Sequence, residues 1–138
     1  RLAGRGEPAE SRTRGVAVLL HPDRMVVGHR LAPVGEREAR VGLLRPVTLN
    51  PFPSDRLKEL TERASCFLVV EMNSGQMLED VRLSVNGRTP IQFYGRMGGM
   101  VPFPEEILGE IKRIAHEPLS LDGDPRRSWI KRLKIVRN

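Results

Sequence analysis

Six residues stand out for chemistry in this sequence. Glu71, Asn73 and Gln76 lie in one short stretch, and Arg96, Gly98 and Gly99 form a second. A carboxylate and an amide in a turn could do acid–base work, but no second carboxylate, histidine or nucleophile stands beside Glu71 and Asn73 in sequence. The other reading makes Asn73 the cap of a following helix, with Glu71 near the same helix dipole. Gly95, Gly98 and Gly99 could cradle a phosphate. That fingerprint needs glycines directly before a helix, whereas Pro102 and Pro104 intervene here, so a tight turn exposing backbone at an interface is the competing reading. Arg96 could pair with Glu71 or with an anion. His21 and His29 have no cysteine or acid at ligand spacing, which points to solvated or loop histidines. Glu105, Glu106 and His116 fit a solvated helix face. No motif suffices for catalysis.

The elements that position these residues alternate in type. Cys66–Val70 is a short apolar run suited to a strand buried on both faces, and Glu71 ends it. Met77, Leu78, Val81 and Val85 follow at helical spacing, and Asn86-Gly87 closes that helix in left-handed geometry. Ile91–Tyr94 is the next strand. Pro104 then sits at the first turn of a helix whose buried face is Ile107, Leu108, Ile111, Ile114 and Ala115, with Glu105 and Glu106 complementing its dipole. Upstream, Val41–Leu44 is a strand whose regular pairing lapses at Pro46. Residues 50–53 form a rigid turn, and Ser54 or Asp55 caps a helix with Leu57, Leu60, Thr61 and Ala64 inward. Val16–Leu20 is a first strand candidate and Met25–Val27 a second. A short helix over Val34–Arg40 is possible, and residues 1–15 lack periodicity. Residues 128–136 read as a small helix, a strand or a docking tail, with Trp129 as a packing anchor.

Strands alternating with helices imply a three-layer α/β/α domain on a mostly parallel sheet. Right-handed crossovers place the loops 49–53, 71–76 and 95–100 on one edge, where such folds bind ligands and partners. The proposed interface residues on that edge are Glu71, Asn73, Gln76, Arg96, Gly98 and Gly99.

Charge narrows the function classes. The net charge is +6, but residues 41–115 hold nine basic and nine acidic side chains, so the excess lies in the two ends. Aromatics are few, and a nucleic-acid binder would carry a basic, aromatic-bearing folded face. No apolar run approaches the roughly 20 residues that span a bilayer. The single cysteine, Cys66, rules out an internal disulfide framework and fits a reducing cytoplasm as a small buried hydrophobe. The first residue is Arg1, which suggests a fragment or an excised domain.

Residues 41–49 (VGLLRPVTL), 51–53 (PFP), 71–77 (EMNSGQM), 94–100 (YGRMGGM) and 104–107 (PEEI) together resemble one family in unbroken order. It is the alpha subunit of the 2-oxoacid:ferredoxin oxidoreductases, in its C-terminal transketolase-like domain, with wording closest to the 2-oxoisovalerate or 2-oxoglutarate type. The resemblance implies a subunit of an enzyme that oxidatively decarboxylates a 2-oxoacid, passes the acyl group to coenzyme A and reduces ferredoxin. It also implies that thiamine diphosphate, magnesium and iron–sulfur clusters sit on a preceding domain or other subunits, leaving this chain without cofactor, metal or catalytic residues. Its partners would be those domains and subunits, with no nucleic acid and no membrane. Residues 1–40 depart from the family, which carries a full helix where Pro33 falls here. The expected division is therefore an atypical segment 1–40, a core 41–116 and a basic extension 117–138. A stand-alone small-ligand-binding domain and a nucleic-acid-associated protein are the rival readings.

Overall fold

All six side chains of the run Cys66–Glu71 are buried, which requires cover on both faces of one strand. In the computed structural model, which describes residues 15–20 and 40–135, this strand (β3 below) is interior to a four-stranded sheet. In chain order the elements are β1 (Gly15–Leu20), β2 (Arg40–Leu44), α1 (Ser54–Thr61), β3 (Cys66–Glu71), α2 (Gln76–Val85), β4 (Ile91–Gly95), α3 (Pro104–His116) and α4 (Pro125–Ile135). The sheet order is β2-β1-β3-β4 and every pairing is parallel, with Val16 opposite Cys66 and Phe67 opposite Ile91.

The strand period of two sends alternate side chains to opposite faces and builds two cores. Phe67, Val69 and Phe93 pack with Leu57 of α1, with Met77, Leu78, Val81 and Val85 of α2, and with Trp129 of α4. Val16, Val18, Cys66, Leu68 and Val70 pack with Ile107, Ile111 and Ile114 of α3. The result is the expected three-layer α/β/α arrangement. Burying each large apolar side chain contributes about 1.5–3 kcal/mol, so β3, which feeds both cores, tolerates little change.

Several local expectations need correction. The residue preceding α1 is Pro53, and neither Ser54 nor Asp55 caps it. Ser54 is already helical and its Oγ lies 3.0 Å from Ser84 Oγ on α2, while Asp55 pairs with Lys58 at 3.3 Å. α1 stops at Thr61, so Ala64 packs from the following turn. Residues 125–135 resolve to a helix that begins before Ser128. Asp124 Oδ1 accepts the Arg126 N–H at 2.9 Å at its start, and Pro125 takes the first turn, where its missing donor costs nothing. Trp129 is buried edge-on against Phe93, with ring centroids 5.3 Å apart. β2 ends before Pro46, as the missing donor requires. The strand at 25–27 lies outside the described residues, and so does the helix at 34–40 except for Arg40, which opens β2.

Candidate interaction surface

Because all four strands run the same way, the segments leaving β2, β3 and β4 emerge at one edge of the sheet. Glu71, the last residue of β3, is 1% exposed. Its Oε1 accepts the Met77 N–H at 2.7 Å and its Oε2 the Leu78 N–H at 3.0 Å. Both are first-turn donors of α2 with no intrahelical partner, so the carboxylate satisfies them and opposes the positive end of the helix dipole. Asn73 Oδ1 accepts the N–H groups of Gly75 at 2.8 Å and Gln76 at 3.0 Å. The residue at the cap position is Gly75, in left-handed geometry with φ 103°. Asn73 is therefore not the cap residue, two positions too early in the chain, but its side chain binds the turn while Glu71 binds the first helical donors. Gln76 is exposed.

The loop after β4 is tied to this turn. Arg96 N–H donates to the Glu71 carbonyl at 3.0 Å. Gly95 sits so close to the 72–75 turn that a Cβ there would stand 2.8 Å from the Asn73 carbonyl oxygen and 2.8 Å from the Phe93 ring. The Arg96 guanidinium pairs with Glu106 of α3, not with Glu71, whose oxygens are turned to α2. Glu106 also accepts the Phe103 N–H at 2.8 Å, closing the start of α3. Gly98 and Gly99 have φ of 80° and 74°, left-handed geometry that glycine adopts without strain.

What the loop displays was not singled out from sequence. Met97, Met100, Val101 and Phe103 are all exposed, Met97 by 62% and Phe103 by 59%, and Val47, in the segment after β2, is exposed by 93%. No charged residue occurs between Met97 and Phe103. Of the six predicted residues, Glu71 is wholly interior, Asn73 and Arg96 are half-buried, and Gln76, Gly98 and Gly99 face solvent. The sequence signal was available, since four apolar residues fall in a glycine-bearing loop with neither helix nor strand period.

A concavity of about 720 Å³ lies elsewhere, between α2, the C-terminal end of α3 and the segment leading into α4, and none of those six residues lines it. Its wall carries Arg113 and Arg132, which share Glu110 Oε2 at 3.0 and 3.2 Å. Burial lowers the Arg132 pKa. For Arg113 the same burial is outweighed by hydrogen bonds to Glu117 and Glu110, and its pKa is raised. Among the described residues no group of three or more His, Cys, Asp or Glu could hold a metal ion, and no helix is long and apolar enough to cross a membrane.

Comparison with known proteins bears on the same region. A profile of the family described as pyruvate:ferredoxin oxidoreductase core domain II matches residues 32–107. The chain is similar to the ketoisovalerate oxidoreductase subunit VorB of Methanothermobacter marburgensis, with 47% identity over 78 residues, covering 56% of this chain and 22% of that protein. It is also similar to the 2-oxoglutarate synthase subunit KorA of Methanothermobacter thermautotrophicus, with 37% identity over 79 residues, covering 57% and 21%. The KorA of Methanocaldococcus jannaschii is 33% identical over 81 residues, covering 59% and 22%. The chain thus spans about a fifth of the length of the relatives it matches. No solved structure matches it.

Proposed function

The chain belongs to the pyruvate:ferredoxin oxidoreductase core domain II family, and from that premise we propose that it acts as a non-catalytic assembly domain. The parent enzyme in this reading is a thiamine-diphosphate-dependent 2-oxoacid:ferredoxin oxidoreductase of the 2-oxoisovalerate or 2-oxoglutarate type, located in the cytoplasm. That enzyme converts a 2-oxoacid, coenzyme A and oxidised ferredoxin to acyl-CoA, carbon dioxide and reduced ferredoxin. The reactive groups are held by other domains and subunits. The donor set here does not fit an iron–sulfur cluster, which takes four cysteine thiolates, because the chain has one cysteine and Cys66 is buried in β3. Nor is Glu71 free for acid–base work, since both its oxygens already accept α2 N–H groups.

The observation that carries the reading is the exposed, uncharged apolar loop from Met97 to Phe103, fixed at its base by the Arg96–Glu106 pair and by the bond from Arg96 N–H to Glu71. Exposed apolar residues clustered on a rigid base gain most when another protein surface covers them. Asn73, Gln76 and Arg96 rim the patch, Gly98 and Gly99 shape it, and Glu71 holds the adjoining turn from inside.

The test places Met100→Asp and Phe103→Asp together in the full subunit of the oxidoreductase. Each removes about 1.5–3 kcal/mol of apolar burial at an interface, so co-assembly should weaken by about a hundredfold or more while the fold is kept. Wild-type assembly should change little between low and high salt, because no charge lies within the patch. Variant subunits that assemble and turn over like wild type would overturn the assignment.

A further inference from the structure

The C-terminal helix holds three other elements at once. At its start, Arg126 pairs with Glu79 in the first turn of α2 and stands 3.5 Å from Asp124. In its middle, Trp129 packs edge-on against Phe93 of β4. Further on, Arg132 donates to Glu110 of α3 at 3.2 Å and to the Phe93 carbonyl at 3.5 Å. β4 ends the described strand order, and α4 touches both sides of it, through Trp129 in the core under α1 and α2 and through Arg132 on α3. The Arg126 side chain also lies over the turn itself: a Cβ on Gly75 would stand 3.2 Å from its Cδ.

We infer that α4 is a strap that locks the 72–75 turn, with Arg126 as the positioning residue, so that the C-terminal segment keeps the strand-end surface preformed. The family match ends at residue 107, before this helix begins, so the device lies outside what that match describes. Local bonds from Asn73 and Glu71 shape the turn, and Arg126 fixes the turn and the first turn of α2 to the rest of the body. Loosening α4 therefore lowers the fraction of molecules in which the surface is ready to bind. Only this consequence for docking rests on the assembly reading; the strap itself does not.

Hydrogen exchange of the whole chain separates the two. The reporters are the amides of Gly75, Gln76, Met77 and Leu78. Arg126→Gln should speed their exchange by about threefold, the size expected for losing one half-exposed ion pair. Arg126→Lys, which restores a cation opposite Glu79, should recover most of the protection, and the exposed Arg127→Gln should leave these amides unchanged. Trp129→Ala should speed the same amides and those of Phe93 and Gly95. If it unfolds the chain, Arg126→Gln still decides. Unchanged exchange at residues 75–78 in Arg126→Gln, or no recovery with Arg126→Lys, would overturn the strap. Altered exchange with unimpaired assembly would instead count against the docking surface and leave the strap standing.

Discussion

Replacing Glu71 tests whether the interior carboxylate is a structural anchor. Glu71→Ala strips the acceptor from two amides, Met77 N–H and Leu78 N–H, in a place where the side chain is 1% exposed and water does not reach. Hydrogen bonds to a charged acceptor contribute about 1.5–3 kcal/mol each, so losing both costs about 3–6 kcal/mol before any cavity is counted. Glu71→Gln keeps one carbonyl acceptor but turns an NH₂ group toward the other amide, at a cost of about 2 kcal/mol. A domain of this size is stable by about 5–15 kcal/mol, so the Gln variant stays folded and measurable even where the Ala variant does not. The assay is urea unfolding followed by far-UV circular dichroism, with slopes compared to confirm that only stability has changed. Glu79→Ala, at a half-exposed carboxylate in the same helix turn, is the control and should cost no more than about 1 kcal/mol. A loss of less than about 1 kcal/mol in Glu71→Ala, or a Glu71→Gln variant as stable as wild type, would show that the carboxylate is no anchor.

Further substitutions probe separate contacts. Gly95→Ala should cost about 2–3 kcal/mol by thermal or urea unfolding, because the added methyl meets the Asn73 carbonyl and the Phe93 ring at 2.8 Å. Trp129→Ala should cost about 3–5 kcal/mol in the same measurement, since the ring belongs to the core with Phe67 and Phe93; a change near zero would mean that α4 only rests on the surface. Asn86, with φ 49° at the end of α2, should tolerate Gly without loss, while Ala should cost about 1 kcal/mol by urea unfolding.

Much of the architecture was legible because hydrophobic period and turn chemistry agree in the middle of the chain. Cys66–Val70 is a continuous apolar run, Asn86-Gly87 marks a left-handed stop, and Pro104 with two glutamates marks a helix start; each appears where it should. The edge where the loops converge followed from parallel strands alone. What sequence could not give was side-chain direction. From sequence, Arg96 has Glu71 or an anion as its partner, and Glu106 reads only as a helix-dipole complement. Only the three-dimensional arrangement shows that Glu71 points into α2 and leaves Arg96 to Glu106. The apolar loop was hidden for a related reason, because Met97, Met100, Val101 and Phe103 carry no period and their exposure depends on how Gly98 and Gly99 turn the chain. The last helix was ambiguous because its five cations mask the inward anchor Trp129.

The most direct measurement is a hydrogen-exchange footprint comparing the free subunit with the assembled oxidoreductase. Assembly through the strand-end surface predicts that peptides covering residues 97–103 and 72–76 become protected in the complex, while those lining the concavity at residues 118–124 do not. Protection confined to 118–124, with residues 97–103 exchanging equally in both states, would contradict it.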